Sequence, residues 1–173
     1  MDVAPRHCVE CGAGLESRVI EGRERPYCPK CDAPRYRNPR PCAGILVVDD
    51  DAVLLVQRTV PPAVGSWSVP AGYLEYDEPA PAAACRELAE ETGLTVATDA
   101  LSLLTTHHVT HPDGRTVLVV IYTAPWSATS GTVEAGSDAA AARFWNPARL
   151  DRADASVEPG YAPILEAAVA NEV

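Results

Sequence analysis

The amino-acid sequence predicts an α/β domain preceded by a small cysteine-containing module. After about residue 41, short apolar runs bounded by Gly, Pro and Asp alternate with helical segments, as in α/β proteins. Before that point, four of the six cysteines fall in a polar stretch that is too short to bury a useful core. We therefore divide the 173 residues into a module with its connector at 1–41 and a main domain at 42–173.

The composition is that of an acidic globular protein. Hydrophobic residues make up 47% of the chain, and the formal net charge is -10. Residues 1–42 hold eight Lys/Arg and six Asp/Glu, which leaves six and eighteen in the remainder. A main domain this acidic repels a nucleic-acid backbone, and it repels a nucleotide unless cations bridge the two. With no apolar run of membrane-spanning length and no signal-peptide pattern, we expect no membrane partner and a cytoplasmic location with reduced thiols.

Four apolar runs of strand length predict two β-hairpins in the main domain. The runs are 43–48, 53–57, 101–109 and 116–124. Asp49-Asp50-Asp51 supplies the first turn, and Asp113-Gly114 supplies the second. The Gly/Ser/Ala-rich segment 127–142 predicts a loop, Phe144-Trp145 a last short strand, and 161–170 a closing helix.

One helix carries the strongest chemical signal. Pro79 suits a first helical turn and Gly93 suits the residue just past a helix end, so we expect a helix between them. At about 100° per residue, Glu87, Glu90 and Glu91 fall within an arc of roughly 100° on one face. Like charges at this spacing repel and destabilise the helix. A hard cation such as Mg²⁺ or Mn²⁺, bound between the carboxylates, would compensate the repulsion. The alternative is an ordinary solvated helix face.

The wider spacing favours the metal-binding interpretation. The string reads Gly72, five residues, Glu78, seven residues, Arg86-Glu87-Leu88, one residue, Glu90-Glu91, one residue, Gly93-Leu94. It resembles the Nudix box at every position. This resemblance implies an α/β/α sandwich with a mixed sheet. It also implies a Mg²⁺- or Mn²⁺-dependent hydrolase that cleaves the pyrophosphate of a nucleoside diphosphate derivative to mononucleotide products.

The resemblance also implies roles for individual residues. Glu87, Glu90 and Glu91 are the implied metal ligands, and Arg86 orients Glu87. Glu78 braces the junction between loop and helix or contacts a metal through water, while Gly72 lets the loop backbone approach closely. The base that deprotonates the attacking water is a box glutamate or an acid in the loop before the last strand, where Glu134 and Asp138 lie. Ordinary loop acids are the alternative for both.

The first forty residues contain a pattern typical of a structural zinc site. Cys8-x2-Cys11 and Cys28-x2-Cys31 are separated by sixteen residues, which predicts a tetrahedral Zn²⁺ site that folds a zinc ribbon. Cys42 and Cys85 are expected to be buried thiols. The module's modest basic patch favours packing on the main domain, a homodimer contact or binding of an anionic substrate over nucleic-acid binding. The alternative is a solvated surface.

A ribbon before a Nudix domain is similar to two branches of the family. One comprises NADH pyrophosphatases that also decap NAD-capped RNA, whose Ser-Gln-Pro-Trp-Pro-Phe-Pro signature is missing after Gly93. The other comprises hydrolases of FAD and ADP-ribose, which the passages 36–41 and 65–79 closely resemble. Trp67, Tyr73 and Trp126 could stack on adenine or flavin, or could serve only in packing.

Two other classes of function compete with the hydrolase. A nucleotide-sensing or nucleic-acid-binding protein with a Nudix domain usually lacks some box carboxylates, and this chain keeps them all. A Nudix-fold isomerase of prenyl diphosphates needs a catalytic cysteine at the cleft, whereas Cys85 is expected to face the core. His107, His108 and His111 do not predict a second metal site, because strand alternation sends His107 and His108 to opposite faces.

Overall fold

The computed structural model describes residues 5–61, 63–136, 139–150 and 155–170. Contacts within the chain define two compact units. The first runs to Pro39 and includes residues 110–116, and the second contains the remaining residues from Arg40 onward. No helix among the described residues is long and apolar enough to cross a membrane.

The first unit is built on a three-stranded antiparallel sheet in the order β1-β2-β3. Its strands are β1 (Glu16–Ile20), β2 (Arg23–Cys28) and β3 (Ala33–Pro34). Glu21 and Gly22 join β1 to β2, and both have positive φ (53° and 75°), as a tight hairpin turn requires. With so short a sheet, this unit has little apolar surface to bury.

In its described residues, the second unit contains a seven-stranded mixed sheet, a two-stranded sheet of β8 and β11, and two α-helices. In chain order the elements are β4 (Arg40–Asp49), β5 (Ala52–Arg58), β6 (Trp67–Ser68), β7 (Ala71–Tyr73), α1 (Ala80–Thr92), β8 (Thr95–Val96), β9 (Ser102–Thr110), β10 (Thr116–Pro125), β11 (Thr129–Ser130), β12 (Ala139–Trp145) and α2 (Ala162–Ala170). The sheet order is β12-β5-β4-β10-β9, with β6 paired to β5 and β7 paired to β4. β4 and β10 run parallel, and β5 is antiparallel to both β4 and β12.

Strand β4 shows why the sheet lies between two helices. Its alternate residues Ala43, Ile45 and Val47 pack with α1, whereas Cys42 and Leu46 belong to the core that contains residues of α2. A strand buried on both faces reads as a continuous apolar run, as this one does. The predicted α/β/α sandwich with a mixed sheet is therefore confirmed.

The prediction of one loop over 127–142 was wrong in part. β11 forms at Thr129–Ser130 and pairs with β8, and β12 begins at Ala139 instead of Phe144. The alanines from 139 to 142 show no hydrophobic alternation. Their strand depends on backbone pairing with β5, for example Ala142 with Val56, which a local pattern does not reveal.

Candidate active site and zinc site

Helix α1 begins and ends where its flanking residues predict. Pro79 precedes the first turn, and Gly93 has φ of 72° and donates its N–H to the carbonyl of Ala89 at 3.0 Å. Helices often end at a residue with left-handed backbone conformation, and glycine adopts this conformation readily because it has no Cβ to clash. Leu88 is fully buried in the core against β4, so the face that carries Glu87 and Glu90 turns away from that core.

Strand β7 lies directly against the carboxylates of α1. A Cβ at Gly72 would fall 2.1 Å from Oε1 of Glu87, so only glycine leaves room for this carboxylate. One residue earlier, the N–H of Ala71 donates to Oε2 of Glu91 at 3.2 Å. The strand backbone thus donates a hydrogen bond to Glu91 and, at Gly72, leaves the space that the Glu87 carboxylate occupies.

Arg86 links the carboxylates to one another. Its Nε and Nη2 donate to the two oxygens of Glu78 at 3.0 and 2.8 Å. Its Nη1 donates to Glu87 at 2.7 Å and to Glu90 at 3.2 Å, and Nη2 also reaches the carbonyl of Tyr73 at 3.0 Å. One guanidinium therefore ties the loop, the helix start and the helix face together.

The surroundings shift these carboxyl groups in opposite directions. Burial raises the pKa of Glu87, although the Arg86 guanidinium opposes the shift. Hydrogen bonds from Arg86 lower the pKa of Glu78. The same partners raise the pKa of Arg86, chiefly through Glu78, so this side chain stays charged. Arg86 thus stabilises the ionised form of Glu78. At Glu87 the cost of burying the charge exceeds the stabilisation that Arg86 provides.

The carboxylates fit a hard divalent cation by their chemistry. Glu78, Glu87, Glu90 and Glu91 offer only oxygen donors, which a hard divalent cation prefers, and Arg86 pairs with the first three of them. The described residues contain one group whose ligand atoms already converge enough to hold a metal, and that group is the four cysteines. The carboxylates do not converge in this way. Glu87 and Glu90 accept hydrogen bonds from Arg86, and Glu91 accepts one from the N–H of Ala71.

The four cysteines form a site with the dimensions of a zinc centre. The Sγ atoms of Cys8, Cys11, Cys28 and Cys31 all lie within 4.8 Å of one another. The Cys11–Cys28 and Cys8–Cys31 pairs are 3.5 and 4.0 Å apart, close to the edge of about 3.8 Å expected for Zn–S bonds of about 2.3 Å. All four are free thiols. Four sulfur ligands fill a tetrahedral shell, so this site fits a structural ion.

Hydrogen bonds favour the thiolate form of Cys8, whereas those with the sulfurs of Cys11 and Cys28 raise the pKa of Cys31 to about 12. Burial opposes ionisation of Cys8, but hydrogen bonds from the N–H groups of Glu10 and Cys11 lower the pKa of its thiol to about 6. Nε of Arg35 also donates to Sγ of Cys8 at 3.0 Å. Zinc binds thiolates, so groups that stabilise the thiolate favour metal binding.

The proposed substrate contacts differ in their accessibility. Trp67 is only 4% exposed, lies in the core and packs edge-on against Trp145, which supports the packing alternative over stacking on substrate. Tyr73 is 43% exposed, and the guanidinium of Arg40 lies 5.8 Å from its ring centroid. Glu134 is exposed. Asp138 lies outside the described residues.

The two remaining cysteines differ in burial, and His107 and His108 lie in different environments. Cys42 is buried as predicted, whereas Cys85, a residue of α1, is only partly buried and packs against the core on the α1 side of the sheet. Burial raises the pKa of both thiols. His107 packs edge-on against Tyr161, whereas His108 is exposed. Among the described residues, no histidine joins a group that could hold a metal.

Sequence reasoning missed a buried polar cluster near strand β6. The hydroxyl of Ser68 donates to Oε2 of Glu158 at 2.7 Å, and Nη1 of Arg58 lies 3.8 Å from the same oxygen. The backbones of Trp67 and Glu158 are also hydrogen bonded. Ninety residues separate Ser68 from Glu158, so no local pattern could have paired them.

A mixed α/β/α sandwich with carboxylates gathered at a loop–helix junction is suited by its chemistry to binding a divalent cation. The chain belongs to the Nudix family, because the NUDIX domain model matches residues 38–168. It is 28% identical over 120 residues to an ADP-ribose pyrophosphatase of Methanocaldococcus jannaschii, covering 68% of this chain and 69% of that protein. It is 34% identical over 91 residues to a NAD-capped RNA hydrolase NudC of Stutzerimonas stutzeri, covering 53% of this chain and 32% of that protein.

Solved structures show the same fold. A NUDIX hydrolase from Nitrosomonas europaea superposes with a TM-score of 0.63 at 22% identity, covering 92% of this chain and 88% of that one. The NUDIX domain of Shewanella oneidensis NrtR, crystallised with ADP ribose, superposes with a TM-score of 0.59 at 23% identity, covering 82% and 91%. The chain spans about a third of the NudC relative and about two thirds of the ADP-ribose pyrophosphatase.

Proposed function

We propose that this Nudix protein is a Mg²⁺- or Mn²⁺-dependent hydrolase that cleaves the pyrophosphate of a nucleoside diphosphate derivative. ADP-ribose or FAD is the proposed substrate class, and mononucleotides are among the products. One observation carries the proposal: Arg86 and the glycine at position 72 gather Glu78, Glu87 and Glu90 at one loop–helix junction. Relatives named as pyrophosphatase and hydrolase support it.

The residues of the chain divide the work between binding and positioning. Divalent cations, when bound, neutralise the diphosphate, polarise phosphorus and lower the pKa of a bound water. Glu87, Glu90 and Glu91 would hold these cations, and Arg86 orients the carboxylates of Glu87 and Glu90 by donating to one oxygen of each. Glu78 anchors Arg86 from the loop. Glu134 or Asp138 takes the proton from the attacking water, or a box glutamate does so.

Tyr73 is the proposed contact for the aromatic part of the substrate. Its ring is partly exposed, and its carbonyl accepts a hydrogen bond from Arg86. This bond fixes Tyr73 next to the carboxylate site. The adjacent Arg40 guanidinium carries a positive charge that favours an anionic ligand in an otherwise acidic unit. An exposed ring beside a cation suits a nucleotide, which has both a π-face and phosphate charge.

The ribbon is proposed to be a structural zinc module. Arg18 lies over the ring of Tyr27 at 3.8 Å, and Arg25 lies over Tyr36 at 4.8 Å. One face of each ring is thus occupied by an arginine of the same unit. A homodimer contact through the module stays a prediction, which analytical ultracentrifugation tests.

A substrate panel tests the proposal. The protein is incubated with Mg²⁺ or Mn²⁺ and with ADP-ribose, FAD, NADH, NAD-capped RNA, diadenosine polyphosphates or nucleoside triphosphates, and products are separated by chromatography. We expect AMP from ADP-ribose or FAD, and no product when the divalent cation is chelated. Faster cleavage of NADH or NAD-capped RNA would favour a second candidate function, an NADH pyrophosphatase that also decaps NAD-capped RNA. The NudC relative and the four-cysteine site support this candidate. Tight ADP-ribose binding without any product would instead indicate a nucleotide sensor.

A further inference from the structure

The last turn of α1 carries charges that oppose helix formation. It reads Ala89-Glu90-Glu91-Thr92 and contains two acidic residues and no basic one. The C-terminus of a helix bears partial negative charge, so carboxylates there are unfavourable. The end of the helix that holds two of the proposed metal ligands therefore needs support from another part of the chain.

Segment 131–136 supplies that support through its backbone. The last carbonyls of a helix have no partner within the helix and require other donors. The N–H of Glu134 donates to the carbonyl of Thr92 at 2.9 Å, and the N–H of Gly136 donates to the carbonyl of Glu91 at 2.9 Å. Two amides of this segment thus cap the turn that carries Glu90 and Glu91.

Close approach of the two backbones depends on glycine. A Cβ at position 136 would lie 1.9 Å from the carbonyl oxygen of Glu90 and 3.1 Å from Cα of Glu91. Both atoms belong to the helix backbone, so no flexible side chain can move aside. At the other end of the segment, Gly131 has φ of 110°, and a Cβ there would lie 2.5 Å from the carbonyl oxygen of Gly93.

We infer that segment 131–136 positions the carboxylates of Glu90 and Glu91, and that Gly136 is its central positioning residue. The inference rests on the proposed function, because these carboxylates are proposed metal ligands. A side chain at position 136 pushes the segment away from the helix and removes both capping hydrogen bonds. The last turn then loses its fixed position, and the carboxylates bind cations less tightly. Loss of groups that orient metal ligands costs about ten- to a hundredfold in affinity or activity.

Gly136→Ala tests this inference, with Gly14→Ala as the control. A Cβ at Gly14 meets nothing within 4 Å and its φ is not in the left-handed region, so the control makes the same chemical change without a clash. We measure amide hydrogen exchange at residues 134 and 136, binding of Mn²⁺ alone by electron paramagnetic resonance, and kcat and KM for ADP-ribose. For Gly136→Ala we expect at least about tenfold faster exchange, about tenfold weaker Mn²⁺ binding, and a lower kcat with KM little changed at saturating metal.

Two results would overturn the inference. One is unchanged amide protection in Gly136→Ala, which would show that the backbone contact does not depend on glycine. The other is lost protection with wild-type Mn²⁺ binding and kcat, which would show a merely structural contact. If Gly136→Ala does not fold, Gly131→Ala tests the same segment from its other end. Mn²⁺ binding is measured without substrate, so it tests the positioning role independently of activity. A wild-type protein that binds Mn²⁺ but cleaves none of the panel would refute only the proposed hydrolase.

Discussion

Arg86 and Glu78 form a two-point ion pair across the loop–helix junction, with Nε···Oε1 at 3.0 Å and Nη2···Oε2 at 2.8 Å. Paired donors that match two carboxylate oxygens fix orientation as well as distance. With the guanidinium held in this way, its remaining Nη1 points to both Glu87 and Glu90. Glu78 therefore acts on the site through Arg86.

Arg86→Lys is expected to lower kcat by about ten- to a hundredfold while the fold is retained, because an ammonium cannot bind Glu78 at two points and also reach Glu87 and Glu90. Kinetics with ADP-ribose at saturating Mg²⁺, together with thermal unfolding, measure the effect. Arg149→Lys is the control, since Arg149 is exposed and lies outside the site. Equal rates for the two variants would show that the fork geometry of Arg86 is dispensable.

Gly72→Ala is expected to lower kcat about tenfold or more, because the new Cβ occupies the place of the Glu87 carboxylate. The clashing atoms are at the end of a side chain, so Glu87 can swing away and stability should fall less than activity. The measurement is kcat beside the unfolding temperature. Full activity in this variant would mean that the observed Glu87 position is not the functional one.

Removal of zinc is expected to unfold residues 5–39, since their small sheet buries little apolar surface without the metal. Hydrogen exchange before and after chelation measures this, with β4 and β5 as internal controls that should stay protected. Cys28→Ser should reproduce the effect, because Cys28 is fully buried in the cysteine cluster. Unchanged exchange in β1 and β2 after complete zinc loss would contradict the zinc-ribbon assignment.

Cys42 is expected to resist thiol reagents in the folded protein. Burial raises the pKa of its thiol to about 12, so the reactive thiolate is scarce at pH 8 and increases only as the pH rises toward that value. Mass spectrometry after iodoacetamide treatment at pH 8, with and without denaturant, measures labelling at this peptide. Rapid labelling of Cys42 in the native state would show that this part of the core opens to solvent.

Local patterns predicted the elements whose signals are contained within a few residues. The helix between Pro79 and Gly93 follows from its cap residues, and the hairpin of β4 and β5 follows from two apolar runs around three aspartates. The cysteine site follows from spacing alone. Each of these is specified by a recognisable pattern within one short stretch of the chain, so the structure adds distances without changing the assignment.

Features that depend on distant pairing were not predictable from the sequence. β12 is alanine-rich and forms by pairing with β5. Trp67 packs edge-on against Trp145, which lies far away in the sequence. The contact of Gly136 with Glu90 joins residues 46 positions apart in the numbering. A glycine in a Gly/Ser/Ala-rich segment carries no local sign that it touches a helix end. Such contacts become visible only in three dimensions.

Glu90→Gln tests most directly whether the carboxylates of α1 hold a catalytic cation. Its side chain is 58% exposed, so the substitution should leave stability nearly unchanged while it removes a ligand charge. With ADP-ribose or the best substrate of the panel, kcat should fall by at least about a hundredfold. Glu166→Gln, an exposed glutamate of α2, should keep the wild-type rate. A loss below about tenfold in Glu90→Gln, at the same metal concentration, would contradict the account.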